Sequence, residues 1–432
     1  MATELFYGLV YGLAPAHLVL ATMLALMLLE TLRASPALAR TVFVVGVLAA
    51  MAALLHQLAG GYNAEVVAGE LRVDRFAILG SLVVLGCGLA LALGFAAQNG
   101  YKFWMLAASS LLGAMVMLSS AGFVSLFLGI EMLSLPAFAL MVQGQGHTSA
   151  TEGAFKYLLL SSVATALLLF GVSLAYGSTG SLSIAALVQA LPAGGVPAKA
   201  AILLVITGLF MKAAVFPFHA WAPDAYASTR LQVTAMLASV LKAAVVLALV
   251  RILGPVVLDS ATGAMVGVLA IASIFYGNIT ALAQPRFKRL LAYSSIAHAG
   301  YMVFALMDGT GNRASDLLWY TAFYAGATLL ASAAFAVLCP SGDDDLCALD
   351  GQFAAHPVAA LLLSMAVLSL AGMPPFPGFF AKLFVFKSVV ASGHLVAAVV
   401  AFAGSFLGLA YYLGIVMRLF RNDTRRGAAA AN

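Results

Sequence analysis

Charge is what this sequence has least of. Of its 432 residues only 9% are Asp, Glu, Lys or Arg, 63% are hydrophobic, and the mean hydropathy is +1.05. A soluble domain carries about 25% charged residues, so the chain reads as an all-α polytopic membrane protein. Cysteine is also scarce. Cys87, Cys339 and Cys347 show no C-x-x-C or mixed Cys/His spacing, which leaves no zinc, haem or iron–sulfur site to read. Cys87 lies in an apolar run and is most simply a small buried hydrophobe. No glycine-rich phosphate loop follows a strand, and no nucleophile stands beside a base with its orienting partner. Chemistry on a bound substrate is therefore not expected, nor is a cofactor or metal in this chain. The net charge of +5 points to no nucleic-acid partner, because the basic residues fall between apolar runs. The first residues show no secretory arm with an A-x-A cleavage site. The first apolar run, from about 8 to 29, is expected to span the bilayer and stay.

What the sequence has in quantity is long apolar runs. About 13 of them, separated by short Gly, Pro or polar connections, read as transmembrane helices, two of them interrupted. If the N-terminus lies outside, Arg33, Arg40, Lys102, Arg230, Arg286, Lys288, Arg289, Arg421, Arg425 and Arg426 fall inside. Arg72, Arg75, Lys199, Arg251 and Arg313 then fall outside. The excess favours N-terminus out and C-terminus cytoplasmic, with the acidic loop "SGDDDLCALDG" inside. A weak repeat recurs at an offset of about 160 residues: "FPFHAW" is echoed by "FPGFFAK", and "KYLLLSSVATALL" by "WYTAFYAGATLLA". That spacing is close to five helices, and an odd number of passes turns one copy upside down relative to the other.

A charged side chain at the bilayer centre costs on the order of 2.5–3.5 kcal/mol on insertion scales, so such groups are expected to be paired, hydrated or functional. Lys242 and Glu131 each stand near the middle of an apolar run. Lys212 lies five residues before Pro217, and Lys382 just beyond "GMPPFPG". A helix break frees backbone groups that protein or water must satisfy, and water beside a buried lysine lets it exchange its proton. At each of these positions the alternative is a residue that only pairs helices or caps freed carbonyls. Lys156 has Glu152 four residues before it, an ordinary helical ion pair. His298, mid-helix in "YSSIAHAGYMVF", carries either a proton or only packing, and His219 beside Pro217 is similar.

The stretches "FLGIEMLSLPAFAL", "EGAFKYLLLSSVATALLLFGVSLAYGSTGS", "LFMKAAVFPFHAWAPDAY", "LAYSSIAHAGYM" and "LAGMPPFPGFFAKLFVFK" together resemble the antiporter-like subunits of respiratory complex I and their relatives in cation/proton antiporters. Several are most similar to the subunit-N branch, in which Lys382 has its counterpart in broken helix 12. The resemblance implies two inverted five-helix units, helices 4–8 and 9–13, with helices 7 and 12 discontinuous. It divides the chain into helices 1–3 (1–100), the first unit (101–255), the second (256–421) and a short cytoplasmic tail (422–432). It also implies roles: Glu131 and Lys212 as partners in the first unit, Lys242 as the link between units, and Lys382 as the terminal lysine. Lys156 and His298 would be accessory groups on the same proton path.

Flavin, iron–sulfur clusters and quinone would then belong to other chains of an NADH-quinone oxidoreductase in a bacterial inner membrane. The other membrane subunits, a second antiporter-like one among them, would be the partners. Two departures stand out. A Pro/Thr-rich run after helix 7 is replaced by "ASTRLQV", which puts the closure of helix 7 on helix 8 in question, and the sequence ends where the branch has a fourteenth helix. The competing readings are a subunit of a multi-subunit Na⁺/H⁺ antiporter, a subunit of a membrane-bound hydrogenase, and a scaffold whose lysines only pair helices.

Overall fold

The structure, a computed structural model, describes residues 8–33, 35–95, 100–143, 148–192, 195–254, 256 and 260–421. The expected tail at 422–432, with Arg425 and Arg426, lies outside the described residues. Among the described residues twelve helices are long and apolar enough to cross a membrane, and a thirteenth pass is made by two shorter helices end to end. In hydrocarbon a helix satisfies its own backbone groups, which is why these apolar runs fold as they do. The passes are α1 (Ala14–Thr31), α2 (Pro36–Ala59), α3 (Arg75–Gly94), α4 (Tyr101–Ser119), α5 (Phe123–Val142) and α6 (Thr148–Thr179). Next come α7 in two pieces, α7a (Gly195–Lys212) and α7b (Trp221–Ser228), and α8 (Leu231–Leu253). The chain continues with α9 (Ser260–Leu282), α10 (Phe287–Phe304), α11 (Arg313–Leu338), α12a (Pro357–Ala371), α12b (Pro377–Ala391) and α13 (Leu395–Leu419).

A hairpin that hydropathy does not reveal joins α2 to α3: β1 (Ala64–Val67) pairs antiparallel with β2 (Leu71–Val73). It marks one face of the molecule. Glu70, at its turn, accepts the Ser125 amide at 2.9 Å near the start of α5. Asp74 caps α3 through the Ala77 amide at 2.9 Å and takes the Arg251 guanidinium of α8 at 2.5 Å. Arg313 of α11 donates to the carbonyls of Leu253 and Val256, so the α10–α11 and α8–α9 connections lie on this hairpin face too.

On the opposite face the acidic loop docks on the α9–α10 turn. Phe287 N donates to Asp344 O at 2.6 Å and Leu346 N to Pro285 O at 2.8 Å. Asp350 takes Arg418 at 3.2 Å, at the end of α13. The acids thus neutralise basic residues that the fold brings beside them.

Burial is distributed as a membrane protein requires. α8 and α10 are buried along almost their whole length, whereas α1 and α6 turn most of their residues outward. Exposed Phe155, Leu159, Val163 and Phe170 line the outer side of α6, a surface suited to lipid or a partner helix.

Both interrupted helices end their first piece in the same way. At α7a, Ala214 is left-handed (φ 56°), Val215 N reaches back to Phe210 O at 3.0 Å, and Ala214 N bonds Met211 O at 3.2 Å. At α12a, Gly372 is left-handed (φ 82°), Met373 N bonds Leu368 O at 3.1 Å, and Gly372 N bonds Ser369 O at 3.0 Å. This is the Schellman termination, which closes a helix with paired backward bonds. α7 and α12 are five passes apart, so they cross in opposite directions.

One expectation is corrected here. The break in helix 7 does not wait for Pro217, because the left-handed turn at Ala214 makes Lys212 the last helical residue. The replaced loop "ASTRLQV" is closed by other means: Lys288 of α10 donates to the carbonyls of Ala227 (2.9 Å) and Thr229 (3.0 Å), and Thr234 Oγ1 to Tyr226 O (2.9 Å).

Candidate functional site

The buried lysines fall in three places. In the first, the Lys212 ammonium at the end of α7a donates to Ser161 Oγ of α6 at 2.7 Å and Ser134 Oγ of α5 at 3.1 Å. Glu131 of α5 stands 3.8 Å away and accepts from Thr165 of α6 at 2.7 Å. Lys212 is buried and Glu131 half-buried. The expected pair is therefore present as an ion pair at the outer limit of contact, with hydroxyls making the direct bonds. The Met211 carbonyl at the break, which accepts the Ala214 amide, also takes the Trp221 indole N–H at 2.8 Å, and Lys212 does not cap it.

The second place is α8, where Lys242 is 1% exposed. Its ammonium donates to the Ser295 carbonyl of α10 at 2.6 Å. This contact is to a backbone carbonyl rather than a carboxylate. Residues Leu237–Leu241, immediately before it, form a π-helical turn. Such a turn inserts an extra residue, re-aims the side chains after it, and is frequent at functional sites. Between Lys212 and this turn lies a cavity of ≈ 10 Å³ lined by Tyr157, Ser161, Met211, Lys212, Trp221 and Leu241, the room that one water needs.

In the third place Lys382, six residues into α12b, reaches back across its own break to the Ala371 carbonyl at 2.9 Å and to Ser405 Oγ of α13 at 2.8 Å. Its nitrogen lies 4.8 Å from the centre of the Tyr301 ring, a cation–π contact. His298 of α10 sits between the second and third places. Its Nδ1 is 2.9 Å from Tyr320 Oη and its Nε2 3.4 Å from Tyr412 Oη, and Tyr412 meets Ser294 Oγ at 2.5 Å. His298 is thus a hydrogen-bonded member of a buried polar chain, not a lone packing residue.

Lys156 stands apart, near the face opposite the hairpin. It holds Glu152 at 2.8 Å as its spacing implies, and also Asp224 of α7b at 2.7 Å. His219 is half-buried, stacked on Phe216 at 5.4 Å and close to Tyr276 at 4.4 Å, away from the lysines' direct contacts.

Sequence reading did not single out the hydroxyl partners: Ser134, Ser161, Thr165, Ser405, Tyr301, Tyr320 and Tyr412. Nothing in their spacing set them apart from the other hydroxyls in the apolar runs. Asp224 lay inside a quoted motif without a role. Among the described residues no group of three His, Cys, Asp or Glu is placed to hold a metal ion.

Residues 120–408 match the model of the family described as "NADH:quinone oxidoreductase/Mrp antiporter, TM". NADH-quinone oxidoreductase subunit N of Pelobacter propionicus is 54% identical over 434 residues, 100% of this chain and 92% of that one. The subunit N of Halorhodospira halophila is 33% identical over 86% of this chain and 79% of its own. A chain of respiratory complex I from Thermus thermophilus superposes with a TM-score of 0.83 at 32% identity, covering 96% of this chain and 94% of that one. A chain of the archaeal membrane-bound sulfane sulfur reductase gives 0.87 at 25% identity, covering 95% and 88%. A chain of the Mrp complex from Dietzia gives 0.83 at 25%, covering 95% and 80%.

Three buried lysines in two oppositely directed five-helix units, each unit with one broken helix, define an antiporter-like proton-translocation fold. The chain belongs to the NADH:quinone oxidoreductase/Mrp antiporter membrane-subunit family. Within it, it belongs with the subunit N proteins of NADH-quinone oxidoreductase.

Proposed function

We propose that this chain moves protons across the membrane as subunit N of a complex I, driven by quinone reduction in other subunits. The path runs from Lys212, gated by Glu131, through Lys242 and the His298 chain to Lys382, with Lys156 accessory. The observation that carries it is Lys242: an ammonium 1% exposed, on a backbone carbonyl, directly after a π-turn. A lysine kept only to bind two helices is better served by a carboxylate, since an unneutralised buried charge costs several kcal/mol. A backbone carbonyl accepts from the charged form without neutralising it, which keeps proton loss within reach.

The units proposed are 101–255 and 256–421, with 1–100 flanking them. The chain lies in a bacterial inner membrane with the hairpin face outside, the N-terminus outside and the C-terminus cytoplasmic. The basic residues Arg33, Arg40, Lys102, Arg230 and Arg286 then cluster inside, as positively charged loops do. Its partners are other membrane subunits, a second antiporter-like subunit among them, and flavin, iron–sulfur clusters and quinone sit in other chains.

Moving one charge against 100 mV costs about 2.3 kcal/mol, a step that opening and closing the Glu131–Lys212 pair can supply. The test is made on the assembled complex in proteoliposomes, with electron transfer to quinone and the pH gradient recorded together. Lys212→Ala and Lys242→Met should each assemble and lose both activities together. Unchanged electron transfer and pumping in either variant removes that lysine from the path.

A further inference from the structure

On the hairpin face of the second unit, a set of buried polar side chains lies beyond Lys382 and outside the path described above. Asp316, in the first turn of α11, is 8% exposed and accepts from Ser388 Oγ of α12b at 2.5 Å. Ser388 lies six residues past Lys382 on the same helix, about 9 Å along its axis. One turn further, Ser392 Oγ is 3.2 Å from Asp308 Oδ1 and takes the Gly309 amide at 2.8 Å. Asp308 is 2% exposed, and its Oδ2 meets no donor. Arg313, whose charge acts on Asp308, gives its terminal nitrogens to the Leu253, Val256 and Asp308 carbonyls rather than to either carboxylate. Lys387 is exposed on α12b, and its charge also acts on Asp316. Two acids are thus buried together at the end of a helix whose other end holds a pathway lysine.

A serine bond and the helix N-terminus can keep Asp316 as a structural anion. That account leaves the open oxygen of Asp308 unexplained, and an unpaired buried carboxylate oxygen is costly. Burial pushes the Asp308 carboxyl up, but the Thr310 hydroxyl and amide, the Ser392 hydroxyl and Arg313 outweigh it and hold it below its ordinary range. Asp308 therefore stays ionised and makes this end of α12b attractive to a proton. Phe386, four residues past Lys382 and two before Ser388 on α12b, lies 6.2 Å from Tyr301 and 5.9 Å from Phe304, centre to centre.

We propose that Asp316 is the exit group of the proton path, taking the proton that leaves Lys382 and passing it to the outer solvent beside Asp308. The inference rests on the proton-path reading above. In the step, the Lys382 ammonium loses H⁺ to become a neutral amine and the Asp316 carboxylate gains it to become a carboxylic acid. Water at the hairpin face then removes that proton and restores the carboxylate. Total charge is conserved and no redox partner is needed.

The test uses the whole complex in sealed vesicles, with NADH-driven quinone reduction and proton release measured at several outer pH values. Asp316→Asn should lower coupled turnover at least tenfold, and Asp316→Glu should restore most of it. Ser388→Ala removes only the donor that stabilises the ionised acid. It should raise the acid's proton affinity, so the outer pH below which turnover slows moves up by about 0.5–1 unit. A purely structural bond would not move that limit. Wild-type turnover in Asp316→Asn overturns the proposal, and if that variant fails to assemble, an unmoved limit in Ser388→Ala does so. Lys382→Met is run beside them: if it pumps normally the path reading itself fails, whereas if it is inactive and Asp316→Asn is normal only the exit is lost.

Discussion

The two broken helices share one termination and use it differently. In α7 the Met211 carbonyl at the break is held by the Ala214 amide and the Trp221 indole, and Lys212 turns to two hydroxyls and a carboxylate on neighbouring helices. In α12 the lysine itself caps the freed Ala371 carbonyl, with a hydroxyl and an aromatic face as its other contacts. The lysines also occupy opposite pieces, Lys212 ending the first and Lys382 lying within the second. The same backbone device thus yields one ammonium whose proton affinity a carboxylate can change, and one tied to the helix break itself.

The sharpest way to break this contrast is at the left-handed residue. Gly372 needs its positive φ, and an added Cβ would also lie 2.8 Å from Lys382 Cδ. Gly372→Val should therefore lower coupled turnover more than tenfold in the assembled complex. The counterpart Ala214→Gly, where a left-handed residue with a Cβ already stands, should leave turnover within about twofold, since it relieves about 1 kcal/mol of strain. Equal effects of the two would show that the breaks are not used differently.

Glu131→Gln probes the carboxylate 3.8 Å from the first unit's lysine. It should lower turnover about tenfold, the size of one unit of lost proton-affinity control, as read by quinone-coupled proton uptake. The smallest effects belong to the hydroxyls. Ser161→Ala and Ser405→Ala each remove one lysine hydrogen bond worth about 1 kcal/mol. Each should slow turnover no more than about fivefold, with Ser405→Ala the milder because the Ala371 carbonyl still holds Lys382. A larger loss from Ser405→Ala would mean that the carbonyl contact does not hold the lysine.

Much of this was legible in the sequence for a simple reason. A bilayer permits few solutions to the backbone, so apolar length fixes the spans, and the cost of buried charge makes every membrane-depth lysine conspicuous. Glu131, Lys212, Lys242, Lys382 and His298 stood out on that ground, and each occupies a buried or half-buried polar site. Lys156 reads as an i,i+4 partner of Glu152, and so it is, but its second carboxylate, Asp224, comes from another helix and no spacing rule could supply it.

The partners of the lysines were set by packing. Hydroxyls cost little in an apolar helix because they can bond their own carbonyls, so sequence gives no reason to choose Ser134 or Ser161 over Ser162. The π-turn before Lys242 is made of Leu, Ala, Ser and Val, residues without any local signal for an extra residue per turn. The end of α7a was misplaced at the proline because Ala214 is an unusual residue for a left-handed turn. Hydropathy and the cost of charge are local properties, so the order of residues was enough to show a chain that crosses a membrane many times and buries lysines beside helix breaks. Which carbonyl, hydroxyl or carboxylate each lysine meets had to come from the packed helices, because those contacts join segments far apart in the chain.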